Sequence, residues 1–334
     1  MQANCEILDT HPIWSESLMM FNPLGLTHCL RTALLTLAWV LLASCSDLRE
    51  LANTQQKDTT QIHNYDHSLE STGALVSAFY GLDNALPFFA SYFLCGEFGH
   101  RDGMPVVFSQ ELDLNTVEAG DFSVAFERGT TQVACVTPAP ATDQGEFRTL
   151  LLVGDFGSMT SPPIDVSVTG NLISLDHRTN FKNTQVRVTP LEAGPSLVYA
   201  EIVDVEHFHL GRQSTMFPFG GGDGCPLGTK QVVRVVWSGG VTKPGGEEID
   251  DLEREAYRVS LIDGSAVTPF AIGDLGDGDN NHELCLKSGI QAQRVEFPAG
   301  LLTDPREDLN PATAIVLQHP GVDIHESPIA PKLR

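Results

Sequence analysis

The sequence predicts an all-β body in two halves behind an export signal, and three observations predict it. First, 30 Gly and 20 Pro are spread along 334 residues, which favours many short strands and tight turns over long helices. Second, short alternating or apolar segments recur between those turn residues. Third, four cysteines fall two to each half of the body, a distribution suited to closing each half covalently. A chain of this length exceeds one ordinary domain and accommodates two plus a leader. The expected organisation is a leader over 1–44, a tether over 45–72, a first β domain over 73–203 and a second over 204–334.

The leader is read from Met19, where the chain runs MMFNPLGLTHCLRTALLTLAWVLLASC. Arg31 precedes an apolar run from Thr32 to Leu42. That run is shorter than the ~20 helical residues that cross a bilayer, so it reads as a signal peptide. Glu6, Asp9 and Glu16 are acidic where an export signal is basic, so translation is expected to start at Met19 or Met20. The end of the run, Leu42-Ala43-Ser44-Cys45, resembles the lipobox of bacterial lipoproteins. The resemblance implies cleavage before Cys45, acylation of its thiol and a membrane partner engaged through lipid. Ser46 in the next position resembles lipoproteins passed to the outer membrane. Two or more acyl chains anchor stably, each buried CH₂ contributing ~0.8 kcal/mol. Asp47–Thr72 is polar and without apolar periodicity, as expected of a tether; His63 and His67 within it have no third ligand nearby.

With Cys5 and Cys29 in the leader and Cys45 acylated, Cys95, Cys135, Cys225 and Cys285 remain. Three pairings are possible, and the two-per-half placement favours Cys95–Cys135 and Cys225–Cys285. An exported compartment lets such bonds persist. A four-thiolate zinc site would need C-x-x-C pairs, which the sequence lacks.

In the first half, a strand around Val106 and Phe108 leads through an Asp/Asn turn to a second strand, Asp121–Phe126. Phe108, Leu112, Val117 and Phe122 are expected to point inward, while Asp113, Asn115 and Thr116 build the turn. The stretch Met104–Val124 resembles the opening of bacterial immunoglobulin-like domains of surface proteins. That resemblance implies two tandem immunoglobulin-like β-sandwiches and no particular chemistry. Further strands are predicted at Gln132–Thr137, Arg148–Val153, Ile164–Gly170, Gln185–Pro190 and Ser196–Ile202. In the second half they are predicted at Lys230–Trp237, Tyr257–Asp263, Ser265–Ile272, Arg294–Phe297 and Ala314–Gln318, with one helical turn in Glu247–Glu255.

The net charge of −23 and pI near 4.6 exclude a nucleic-acid partner, which needs a basic face. The densest local chemistry is Asp274-LGDGDNNHE-Leu284. Asp274, Asp277, Asp279, Asn281 and Glu283 crowd side-chain oxygens around two glycines, the donor set Ca²⁺ takes in numbers of about six to eight. The spacing departs from the EF-hand, whose glycine and final glutamate positions hold His282 and Ser288 when counted from Asp277. The alternative is an Asp/Asn/Gly turn capping its own backbone. His207 and His209 in EHFH share a strand face and form half of a metal site. The Gly-rich run 219–225 lacks the helix and Lys-Ser/Thr pair of a phosphate loop. Ser238 lacks the flanking glycine of a nucleophile elbow, and the pairs Asp250/Asp251 and Glu307/Asp308 are carboxylates in polar loops.

The expectation is a lipid-anchored cell-envelope protein at the outer membrane, in a non-catalytic binding or structural role toward an envelope protein or polysaccharide. Ca²⁺ is its one candidate cofactor. The alternative is a secreted metal-dependent hydrolase or a metal-binding carrier with its site in the second domain.

Overall fold

The computed structural model describes residues 73–317, apart from 87–91, 93–94, 97–100, 139, 142, 144, 204, 206–209 and 214–221. Cys45, the leader, the tether and the His207/His209 pair lie outside the described residues. Within the described residues the body is mostly β, with a short helix at Asp251–Ala256, helical positions at Tyr92 and Cys95, and two single 3-10 turns.

Eight strands form the first sheet: β1 (Leu75–Phe79), β2 (Asp102–Phe108), β3 (Phe122–Phe126), β4 (Gly129–Gln132), β5 (Cys135–Thr137), β6 (Thr149–Gly154), β7 (Asp165–Val168) and β8 (Gln185–Thr189). Their order is β4-β3-β7-β8-β1-β2-β6-β5. All pairings are antiparallel except β1 with β8, which are parallel. Side chains from along this one hydrogen-bonded run, including Ala78, Met104, Phe108, Phe122, Val124, Leu150 and Val166, enter a single core. The sheet therefore curls about its own apolar face. The predicted inward residues Phe108, Leu112, Val117 and Phe122 are all buried, and Phe108 meets Phe181 and Phe122 edge to face. The Asp113 carboxylate caps the turn by accepting from the Asn115 backbone N–H, the use of aspartate expected there.

The second half makes two four-stranded sheets from β9 (Leu197–Val203), β10 (Gln231–Trp237), β11 (Arg258–Leu261), β12 (Ala266–Val267), β13 (Ala271–Gly273), β14 (Asn281–Leu286), β15 (Ala292–Phe297) and β16 (Thr313–Val316). Their orders are β13-β14-β10-β9 and β12-β11-β15-β16. Val233, Val235, Trp237, Leu284 and Leu286 of the first of these sheets pack with Val259, Val295 and Phe297 of the second. The helix α1 (Asp251–Ala256) overlaps the predicted helical turn Glu247–Glu255 and runs one residue past it. It starts where the Asp250 carboxylate accepts from Leu252 N–H while Glu253 accepts from Asp250 N–H, a capping box.

β10 explains how the halves join. Its sequence QVVRVVW is almost continuously apolar, and every residue is buried, as in a strand covered on both faces. Val233, Val235 and Trp237 face the second half's core. On the opposite face Val236 packs with Tyr199 and with Val107 of β2. Arg148 crosses from the first half to grip Glu201 of β9 through two 2.8 Å contacts, its guanidinium 4.0 Å from the Tyr199 ring centroid.

Several predicted strands shift. Gln132–Thr137 is the end of β4, a break, and β5; Ser265–Ile272 divides into β12 and β13. β1 and β14 were not predicted as strands. The predicted strand Ser196–Ile202 is β9, which pairs with β10, so the chain changes sheets between β8 and β9, ahead of position 204. Both disulfides have the expected pairing, Cys95–Cys135 and Cys225–Cys285.

Candidate metal centre

The Asp-rich segment is the β13–β14 connection plus the start of β14. Asp274 leaves β13 with φ of +65°, a left-handed conformation that costs a non-glycine residue. The turn that follows folds on its own carboxylates. Asp277 accepts from Asp279 N–H at 3.4 Å and from Gly222 N–H at 3.1 Å. Asp279 accepts from both the backbone and the side-chain amide of Asn281. Gly222 belongs to the Gly-rich run, and a Cβ there would lie 2.5 Å from the Asp274 Cα. Close approach of two backbones is thus what that glycine serves.

One oxygen from each of Asp274, Asp277 and Asp279 lies within 4.8 Å of the others. A second set with the same property is Asp143, Glu146 and Asp274. Asp143 and Glu146 come from the β5–β6 loop of the first half and were not among the predicted site residues. No motif marks them: DQGEF reads as an ordinary polar turn, and only the fold brings it across.

The burial of these groups is what sets the cluster apart from solvated acidic loops. The Asp274 side chain is 0% exposed; no N–H or hydroxyl is hydrogen-bonded to either of its oxygens, and it faces the Glu146 carboxyl. Glu146 is likewise enclosed; its Oε2 accepts from Asp143 N–H, and Oε1 has no N–H or hydroxyl donor. Asn281 Oδ1 and Glu283 Oε2 are also buried without partners. Burial pushes the Glu146 carboxyl up to about 9, with Asp279 adding repulsion. It pushes Asp274 up to about 10, with Glu146 and Glu283 adding to it. Asp279 is raised well above the usual carboxylate range, first by burial and then by Asp274 and Asp277. Carboxyls raised this far hold their protons at neutral pH, and a bound cation would favour their charged forms.

Two guanidiniums border the cluster. Arg234 of β10, almost fully buried, donates to Glu283 Oε1 at 2.9 Å and to the Gly145 carbonyl at 2.7 Å. Burial works against its charge, but Glu283, Glu146 and Glu201 outweigh it and hold the guanidinium protonated. Arg212 ion-pairs with Asp143 and lies 3.6 Å from Asp274 Oδ1.

Of the five residues predicted from the loop, the structure thus brings Asp274, Asp277 and Asp279 together; Asn281 braces Asp279, and Glu283 is engaged by Arg234. His282, one residue earlier on β14, faces the other side. Its Nδ1 lies 2.8 Å from the Tyr257 hydroxyl, to which Trp237 Nε1 also donates, and burial lowers its pKa to about 3. It is a neutral core histidine. The acidic pairs elsewhere also serve the backbone: Asp250 caps α1, and Glu307 accepts from Gly245 N–H. The Ser238 hydroxyl accepts from Ser196 N–H.

No family model matches the sequence, and no curated protein matches it. Among solved structures, the N-terminal part of the bacterial S-layer protein SbsC aligns at 11% identity with a TM-score of 0.24, covering 74% of this chain and 44% of that one. A second structure of that S-layer protein aligns at 9% identity and a TM-score of 0.25, over 74% of this chain and 41% of the other. This chain spans less than half the length of either, and at such scores neither likeness carries an argument about fold or function.

Proposed function

We propose that the chain is an exported cell-envelope protein, anchored by lipid on Cys45, whose β body serves a binding or structural role and is ordered by Ca²⁺ held by Asp274, Asp277 and Asp279. The observation that carries the calcium reading is Asp274: a carboxylate with no exposure and no N–H or hydroxyl hydrogen-bonded to either oxygen, beside two more carboxylates within coordination reach. Ca²⁺ binds oxygen ligands at about 2.3–2.6 Å, so oxygens sharing one ion stand at most about 5 Å apart, as these do. Enclosure of Asp274 and Asp279 favours an ion that stays in place over one that exchanges ligands with substrate, which is why a structural role is preferred to a hydrolase.

Export is supported by the disulfides Cys95–Cys135 and Cys225–Cys285, since such bonds persist in oxidising compartments and are rare in the cytosol. The outer-membrane destination, the immunoglobulin-like character of the domains and an envelope protein or polysaccharide as partner belong to the same proposal. Calorimetric titration of the chelator-stripped full chain with Ca²⁺ tests the site. Binding accompanied by a rise in melting temperature is expected; neither heat nor thermal shift would sink it. Intact-mass analysis of the membrane-extracted protein tests the anchor, and loss of the lipid mass in Cys45→Ala is the expected result.

A further inference from the structure

We infer that the centre holds a second divalent cation, bound between the two halves by Asp143 and Glu146, with Asp274 bridging it to the cation of the Asp loop. The inference rests on the calcium reading above and extends it to residues from the first half. Two sets of three carboxylates, each compact enough for one ion, share Asp274. A bridging carboxylate must offer one oxygen to each ion; no N–H or hydroxyl is hydrogen-bonded to either Asp274 oxygen, and the group it does meet is another carboxyl, that of Glu146, a pairing that a cation between the two would replace. Glu146 contributes the same signature, a fully buried carboxylate whose Oε1 has no N–H or hydroxyl donor. Bridged cations in two-metal sites sit about 3.5–4 Å apart, a spacing one carboxylate spans.

Charge favours cations at this place. Asp143, Glu146, Asp274, Asp277, Asp279 and Glu283 are six carboxylates, faced by the two guanidiniums Arg212 and Arg234. The carboxylates outnumber the guanidiniums, and Glu201 also shares Arg234, so cations bound among them would take the place of the protons that burial otherwise holds on Glu146 and Asp274. Arg212 is the rival counter-ion, because it touches Asp143 and approaches Asp274. Its side chain is 29% exposed and reaches the cluster from the rim, whereas Glu146 Oε1 remains without an N–H donor despite it. An outer partner to Asp143, leaving the inner oxygens to metal, is the role that position fits.

The consequence is a fastener. The β5–β6 loop and the β13–β14 loop are far apart in sequence and would be tied through ions as well as through the Arg234 contact with Gly145.

Metal content of the full chain, equilibrated with Ca²⁺ and measured by plasma mass spectrometry with calorimetric stoichiometry alongside, decides the matter. Two ions per chain are expected, falling to one in Glu146→Gln and in Asp143→Asn, with at least a tenfold weaker second binding step. The Asp143 variant, at a less enclosed residue, guards against a folding defect in the other. One ion per chain, unchanged in both variants, would overturn this inference and leave the loop site standing. One ion in the wild type but two in Arg212→Gln would assign the second place to the guanidinium and also overturn it. No bound ion would remove both this inference and the calcium reading.

Discussion

Replacing Arg234 with methionine removes the cation that holds the two halves and the acidic cluster in register. The guanidinium donates to Glu283, whose side chain is 1% exposed, and to the Gly145 carbonyl. Breaking a buried ion pair by deleting one partner costs about 3–5 kcal/mol, because the remaining charge is stranded. Arg234→Met should therefore lower unfolding free energy by about 3–5 kcal/mol, while Arg234→Met with Glu283→Met should recover most of it, because a matched apolar replacement of a buried pair is often near neutral. Urea denaturation of the full chain, with disulfides intact and Ca²⁺ held constant, reads both values as shifts in midpoint at unchanged slope. A loss below about 1 kcal/mol in the single variant, or a double variant no more stable than the single, would refute the stranded-charge reasoning.

Gly222→Ala should weaken Ca²⁺ binding severalfold, since its Cβ would meet the Asp274 backbone, whereas Gly120→Ala, with open space around it, should leave calorimetry unchanged. Opening Cys225–Cys285, whose residues are 60 apart, should cost about 4 kcal/mol on the loop-entropy model; equal midpoints for the wild type and a Cys225→Ala/Cys285→Ala variant would contradict this. Because burial lowers the His282 pKa to about 3, the unfolded chain takes up a proton near its ordinary value of about 6.5 that the folded chain refuses. That residue's contribution should fall as pH drops from about 6.5 toward 3, by up to about 1.4 kcal/mol per pH unit. The difference in unfolding free energy between wild type and His282→Gln should follow that slope, and a difference independent of pH would show that His282 protonates in place.

The first half was legible where a local rule governs. Phe122 and Val124 alternate with Asp121 and Ser123, and Asp113 caps its own turn, so β2, β3 and the turn between them could be drawn from the letters, though not their partners: β2 pairs with β1 and β6, and β3 with β4 and β7. β14 was missed because NHELCL mixes polar and apolar residues, yet every one of the six is buried. His282 and Leu284 face one core while Asn281 and Glu283 face the acidic centre, and a strand occupied on both faces loses the period-2 pattern. β1 was missed for a related reason: LVSAF is short, and its place between β2 and β8 is set by the sheet. The acidic loop was recognisable from its oxygens, but Asp143, Glu146, Arg212 and Arg234 were not, because what makes them partners is the packing of one half on the other. The cysteine pairing followed from placement alone, since each bridge closes within its own half.

The parallel pairing of β1 with β8 sets a schedule for folding. Ala78 aligns with Val188, so β1 can pair with β2 early in synthesis but keeps one bare hydrogen-bonding edge until β8, which begins at Gln185 where β2 ends at Phe108, has been made. Long-range closure of this kind slows folding, and an unpaired strand edge invites pairing with another chain. A chain threaded through a membrane N-terminus first would present that edge throughout its passage. The strand most in need of protection is thus the first one to arrive, and any chaperone on the far side would meet Leu75–Phe79 before the strand that finally covers it.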